Sequence, residues 1–123
     1  MDGHRGTRRY DLEERTTRFA AEVFLLVQSL RRTIVNEEIA QQLIRSAGSV
    51  GANYIEANEA LGRRDFLMHV RISRKESKES MYWLGLLDCP DALLEQRDAL
   101  RQEARELMLI FGAILRNSLA ESR

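Results

Sequence analysis

Proline, glycine and cysteine are scarce in this sequence, and it has no long apolar run. One proline, Pro90, and 7 glycines in 123 residues leave little to interrupt a helix. The single cysteine, Cys89, has no second cysteine in the chain for a disulfide, which fits a reducing compartment. The longest uncharged apolar stretch, Leu107 to Leu115, covers nine residues, fewer than half of the roughly 20 that cross a bilayer. We therefore expect an all-α protein of the cytoplasm without a membrane span.

Charge of neither sign is in excess, because 19 Lys and Arg balance 19 Asp and Glu. A neutral chain is not a general binder of polyanions, although the balance permits a local basic patch. Two histidines and one cysteine do not make a zinc set. Neither His4 nor His69 follows a glutamate by three residues, as the di-iron bundles require. We expect no metal, no cofactor and no enzymatic activity.

Apolar side chains recur every three or four residues in four segments, and this spacing predicts four helices. Asp11 and Glu14 have the spacing of a capping box, and Asn36 is the predicted N-cap of the second helix. Gly62 allows a tight reversal before the third helix, and Pro90 precedes the fourth. The predicted segments are a disordered basic tail at 1–10 and a bundle at 11–121, with helices from Asp11 to about Thr33, from Asn36 to about Leu61, from about Asp65 to Asp88, and after Pro90.

Connections this short make consecutive helices antiparallel, so the predicted architecture is a single-domain, up-down-up-down four-helix bundle. Each helix has one inner line of residues at helical spacing. The predicted lines are Phe19, Val23, Leu26, Val27, Leu30 and Ile34; Ile39, Leu43, Val50, Tyr54, Ala57 and Leu61; Phe66, Val70, Ser73, Ser77, Met81 and Leu84; and Leu93, Leu100, Ala104, Leu107, Phe111 and Ile114.

Two polar residues, Ser46 and Asn53, fall on the inner line of the second helix. A buried polar group without a hydrogen-bond partner costs roughly 1 to 3 kcal/mol. The reversal between the second and third helices brings residues equally distant from it level with each other, so we expect Asn53 near Arg71 and Arg45 near Glu79. The interpretation is that these links fix the register of the two helices; a ligand site is the alternative.

Apolar and small residues also occupy faces that the predicted core does not use. On the third helix, Trp83 and Leu86 lie opposite the core together with Glu76 and Glu79, and the stretch 107–115 of the fourth helix is apolar all round. Such faces indicate a partner surface, and we predict a homo-oligomer; apolar edges of a single bundle are the alternative. The predicted interface residues are Gly48, Gly51, Ala52, Ile72, Trp83, Leu86, Leu109 and Ile110.

A basic stripe runs along the third helix at positions i, i+3, i+4 and i+7. Together with two arginines at the preceding turn, it predicts a site for an RNA or DNA backbone or for an acidic partner protein. The alternative is that Lys75 pairs with Glu79 and the other charges only face solvent, since no aromatic residues interleave the stripe. The predicted binding residues are Arg63, Arg64, Arg71, Arg74, Lys75 and Lys78.

Two E-x-x-E pairs, at Glu56 and Glu59 and at Glu76 and Glu79, are spaced much as in the magnesium-dependent all-α nucleotide pyrophosphatases. That activity is the alternative function. The bundle register places Glu76 eight residues beyond the level of Glu56, which is about 12 Å at 1.5 Å per residue. Paired catalytic metals lie only about 4 Å apart, so solvated helix charges explain these residues better.

A sequence signature occupies residues 49–57, which read SVGANYIEA. It resembles the second-helix signature of the four-helix bundle proteins encoded in intervening sequences of bacterial large-subunit ribosomal RNA genes, and the resemblance continues at 65–66 and 75–84. The resemblance implies a cytosolic homopentamer of bundles with no established activity. Relatives include a retroelement accessory protein that binds nucleic acid and a reverse transcriptase. The residues assigned to the motif or to core polar links are Ser46, Ser49, Asn53 and Glu56.

Overall fold

Four long helices form because few residues interrupt the apolar periodicity, and each helix, once begun, gains one hydrogen bond per added residue. The computed structural model describes the backbone of residues 3–121 and the side chains of residues 12–121. The helices are α1 (Gly3–Gln28), α2 (Ile34–Asn58), α3 (Arg63–Leu86) and α4 (Asp91–Glu121). No strand occurs within these residues, and none of the four helices is long and apolar enough to cross a membrane.

The helices pack in a closed ring, with α1 against α2 and α4 and with α3 against α2 and α4. Connections of four or five residues separate consecutive helices, so neighbours in the chain are antiparallel neighbours in space. The predicted up-down-up-down four-helix bundle is confirmed. The pair α1–α2 consequently lies on the opposite side of the bundle from the pair α3–α4.

The core takes large apolar side chains from all four helices. Phe19 and Phe111 are the largest fully buried residues, and the Phe111 ring lies 5.8 Å from that of Tyr54. Burial of each such side chain stabilises the fold by about 1.5 to 3 kcal/mol. Two predicted core residues are wrong: Ile34 is 85% exposed at the first turn of α2, and Leu61 is 103% exposed because α2 ends before it.

The first helix is longer at its start than predicted. It begins at Gly3, so the segment predicted as a disordered tail is helical from residue 3, and the predicted cap at Asp11 lies inside the helix. No proline separates residues 3–10 from the packed part of α1, so the hydrogen-bond ladder continues through them. Side chains before Leu12 are outside the described residues, and the division into tail and bundle stays a prediction.

The cap of α2 also differs from the prediction. Thr33 is the N-cap, and its hydroxyl accepts a hydrogen bond from the Asn36 backbone N–H. The buried Asn36 side chain instead binds the α3–α4 connection: its Nδ2 donates to the Asp88 carbonyl at 3.0 Å, and its Oδ1 accepts from the Asp88 N–H at 2.9 Å. The predicted cap at Asn36 is wrong, because this residue joins the two connections at one end of the bundle.

Candidate nucleic-acid interface

Basic side chains converge along the groove between α3 and α4. Arg74, Lys75 and Lys78 come from α3, and Arg116 comes from the last turns of α4. We call this surface the basic groove, and its volume is about 430 Å³. The basic groove is lined by Arg74, Lys75, Lys78, Met108, Leu109, Gly112 and Arg116. It has four cations and no acidic residue.

A glycine on α4 lets two of these arginines lie side by side. A Cβ at Gly112 would lie 3.5 Å from Arg116 Nη1 and 3.8 Å from Arg74 Cδ. Because Gly112 has no side chain, both arginine side chains can pass over the α4 backbone at this position. The guanidinium of Arg116 is brought in this way to the same surface as the cations of α3.

The four cations of the basic groove have no intramolecular partner among the described residues. Their side chains form no ion pair and no hydrogen bond with residues 12–121. The alternative pairing of Lys75 with Glu79 is not formed. Glu79 instead accepts hydrogen bonds from Arg45 of α2 and from Trp83 Nε1, the latter at 3.3 Å. Glu76 and Glu79 of α3 thus face α2, while the bases of the groove face α4 and solvent.

The other predicted basic residues lie beside the groove. Arg71 and Arg64 are exposed on the outer surface of α3, and Arg63 donates to the Ser118 carbonyl near the end of α4. The sequence prediction missed Arg116, although its spacing of four from Gly112 was visible. Only the packing of α4 against α3 shows that Arg116 lies beside the basic residues of α3.

The polar links between α2 and α3 are formed, with a shift of register. Ser46 is fully buried and its Oγ lies 2.8 Å from Ser80 Oγ. Asn53 Oδ1 lies 3.0 Å from Nδ1 of His69, so the expected polar link of Asn53 is made to His69 and not to Arg71. The chain reverses over a connection of four residues and not at Gly62 alone. The register between α2 and α3 therefore differs from the predicted one, and short side chains meet other partners.

The signature residues form local bonds along α2. Asn53 Nδ2 donates to the Ser49 carbonyl at 3.0 Å and to its Oγ at 2.9 Å. Because the amide nitrogen is used in this way, Asn53 directs its oxygen to the ring of His69, which acts as the donor. Glu56 is exposed. The signature therefore fixes the contact between α2 and α3 at Asn53.

The glycines on α2 differ in environment. Gly51 is buried against α1, and a Cβ there would lie 2.8 Å from Thr16 Oγ1. The prediction that Gly51 faces outward is wrong, because α1 and α3 together bury a wider arc of α2 than one core line. Apart from the backbone of α2 itself and its two chain neighbours, no atom of the described residues lies within 4 Å of a Cβ at Gly48, and Ala52 is exposed. These two remain available to a partner.

The remaining predicted interface residues divide by burial. Leu86 and Leu109 are about half exposed. Trp83 and Ile110 are half-buried against the core, and Ile72 is also half-buried. The predicted surface opposite the core of α3 is thus partly covered by its own bundle.

The carboxylates of the pyrophosphatase alternative do not form a metal site. Glu76, predicted to face outward, is buried, and its carboxylate lies 3.4 Å from Arg45, which also pairs with Glu79. Among the described residues, no group of three or more His, Cys, Asp or Glu is placed to hold a metal ion. Burial raises the pKa of the Cys89 thiol, which opposes formation of a nucleophilic thiolate.

Comparison with known proteins agrees with the fold. The family model of the 23S rRNA-intervening sequence protein matches residues 8–113. A crystal structure of a protein of unknown function from the S23 ribosomal protein family, from Bacteroides thetaiotaomicron, is similar with 26% identity and a TM-score of 0.72. The match covers 85% of this chain and 97% of that one, and none of the curated proteins matches. The match over most of the chain shows that it belongs to the 23S rRNA-intervening sequence protein family.

Proposed function

We propose that this chain is a non-enzymatic, homo-oligomeric protein of the cytoplasm that binds the phosphate backbone of nucleic acid in its basic groove. One observation carries the proposal: Arg74, Lys75, Lys78 and Arg116 converge from two helices without an acidic partner among the described residues. Arginine binds phosphate through two parallel N–H groups, and lysine binds it as a point charge. A phosphodiester chain along the groove would satisfy all four.

Separation of charge on α3 accounts for phosphate binding by a neutral chain. Glu76 and Glu79 both pair with Arg45 on the α2 side, which offsets one of their two charges and directs both carboxylates away from the basic groove. Arg71 and Arg64 extend the positive surface along α3. An acidic protein surface would meet the same cations, and the fixed spacing of phosphates in nucleic acid favours the backbone as the ligand.

A second surface supports self-association. Ile44, Gly48, Ala52 and Ile55 follow one another on the outer side of α2, with Ala21 of α1 beside Ile55. We call this the apolar strip; its own residues carry no charge, Glu13, Glu14 and Arg18 of α1 border it beside Ile55, and Ile44 and Ile55 are each about 40% exposed. An uncharged strip fits a second copy of the chain better than nucleic acid. The family resemblance favours a pentamer.

Self-association through the apolar strip would leave the basic groove open, because the two surfaces lie on opposite sides of the bundle. Repetition of the groove around a closed ring would also join several weak phosphate sites on one particle. Linked sites bind one long ligand much more tightly than each site does alone. A modest groove on each chain is therefore sufficient for useful affinity.

A salt titration tests the proposal. We expect the assembled protein to bind a labelled RNA at low salt, measured by fluorescence anisotropy. The logarithm of the association constant should fall linearly with the logarithm of salt concentration, with a slope of about −3 to −4 per engaged chain for four phosphate contacts. Absence of binding at low salt, or binding that salt does not weaken, would overturn the proposal.

A further inference from the structure

An exposed tyrosine continues the line of lysines on α3. Lys75, Lys78 and Tyr82 follow at i, i+3 and i+7, and seven residues are close to two helical turns. Tyr82 therefore lies on the same side of α3 as Lys75, about 10 Å further along the axis at 1.5 Å per residue. The residue is 59% exposed, so most of its ring is open to solvent.

The ring of Tyr82 is held by a neighbour that is itself fixed. Its centroid lies 5.0 Å from that of Trp83 at an angle of 70°, an arrangement that aromatic pairs favour. Trp83 packs against the core and donates its Nε1–H to Glu79 at 3.3 Å. Tyr82 is thus a supported aromatic surface, and ordering it on a ligand costs little side-chain entropy.

The surroundings of Tyr82 on α3 suit an anionic ligand. From Met68 to Leu86, every exposed residue of α3 is basic or uncharged. The exposed residues of this segment are Met68, Arg71, Arg74, Lys75, Lys78, Tyr82 and Leu86. Glu79, which lies between the lysines and the tyrosine in sequence, is turned toward Arg45 of α2, so no exposed carboxylate of α3 separates Lys78 from Tyr82.

We propose that Tyr82 stacks on an unpaired base of a nucleic acid whose phosphates are held by Lys75 and Lys78, so that the surface selects single strands. This inference rests on the proposed function, since it specifies the ligand of the basic groove. Every base has an aromatic face that can stack, without regard to sequence. In a duplex the bases are already stacked on one another, so an aromatic side chain at the groove edge finds no free base.

Binding of two matched probes tests the inference. One probe is a labelled oligothymidine, and the other is an abasic oligonucleotide of the same length, with the same phosphates and no bases. The Tyr82→Ala variant should bind oligothymidine between about 5-fold and 150-fold more weakly than the unsubstituted protein. Its affinity for the abasic probe should not change, and the Tyr82→Trp variant should retain affinity for both.

The outcomes separate this inference from the proposed function. If Tyr82→Ala leaves oligothymidine binding unchanged, or weakens binding of both probes equally, stacking is refuted while phosphate binding stands. If the unsubstituted protein binds neither probe at low salt, both proposals fail. Lys78→Glu is the matched control and should weaken binding of both probes. Because Tyr82 and Lys78 are exposed, the far-UV circular dichroism of each variant should match that of the unsubstituted protein.

Discussion

Replacing Arg74 and Lys78 with glutamate should lower the affinity of the assembled protein for nucleic acid by at least about 100-fold at low salt, because two phosphate contacts become two repulsions. Neither cation has a side-chain partner within residues 12–121, so no salt bridge of the fold is lost. Both residues are exposed, and the free energy of unfolding should change by no more than about 0.5 kcal/mol. Anisotropy titration and chemical denaturation measure the two quantities.

A matched control separates the groove from net charge. Arg31 and Arg32 are exposed in the α1–α2 connection, outside the basic groove. The Arg31→Glu, Arg32→Glu variant changes the net charge by the same amount as the groove variant. Its affinity should fall far less than that of the groove variant. Equal losses in the two variants would show that overall charge, and not the groove, determines binding.

Replacing Ile55 with glutamate should dissociate the oligomer. Five chains of 14.2 kDa make a particle of about 71 kDa by closed cyclic association, and the variant should return to the mass of one chain. The reason is that a carboxylate placed within an apolar interface loses most of its water, which costs free energy. Light scattering at micromolar concentration gives the mass, and circular dichroism should show an unchanged helix content.

The control for the interface lies on another face. Leu86, near the end of α3, is also about half exposed, and the Leu86→Glu variant should keep the oligomeric mass. If Leu86→Glu dissociates the particle and Ile55→Glu does not, the interface lies beside Trp83, as the sequence pattern predicted. If the unsubstituted protein has the mass of a single chain, the proposal of self-association fails.

Helix count and order followed from apolar spacing, but the ends of the helices did not. An asparagine near a helix start looks the same in sequence whether it caps the helix or binds another connection. Thr33 performs the capping role, and Asn36 binds Asp88, far along the chain. Only the packing of the two connections against each other distinguishes the two roles.

Pairings across α2 and α3 were predictable where the side chains are long. Arg45 reaches Glu79 as expected, because both side chains tolerate a small shift of register. Asn53 is too short to do so and binds His69 instead of Arg71. The arc of α2 that α1 covers was likewise invisible in the sequence, and for this reason Gly51 was placed on the wrong face.

The candidate site was predicted in part. The stripe on α3 depends only on helical periodicity, which the sequence carries. Arg116 joins it through the register of α3 and α4, and Tyr82 becomes its continuation because α2 and α4 leave that arc of α3 exposed. The position of Tyr82 on the stripe follows from helical spacing, but its exposure and the approach of Arg116 come from tertiary packing, which no local pattern encodes.

Lysine footprinting shows whether the basic groove is the surface that contacts RNA. Lys75 and Lys78 are the only two lysines in the sequence, and both line the basic groove. Lysine acetylation therefore reports on the proposed site without interference from lysines elsewhere. We expect a saturating RNA to protect both amines from an acetylating reagent, as read by peptide mass spectrometry, and high salt to restore their reactivity. Equal acetylation of both lysines with and without RNA, under conditions where anisotropy shows the RNA to be bound, would contradict the account.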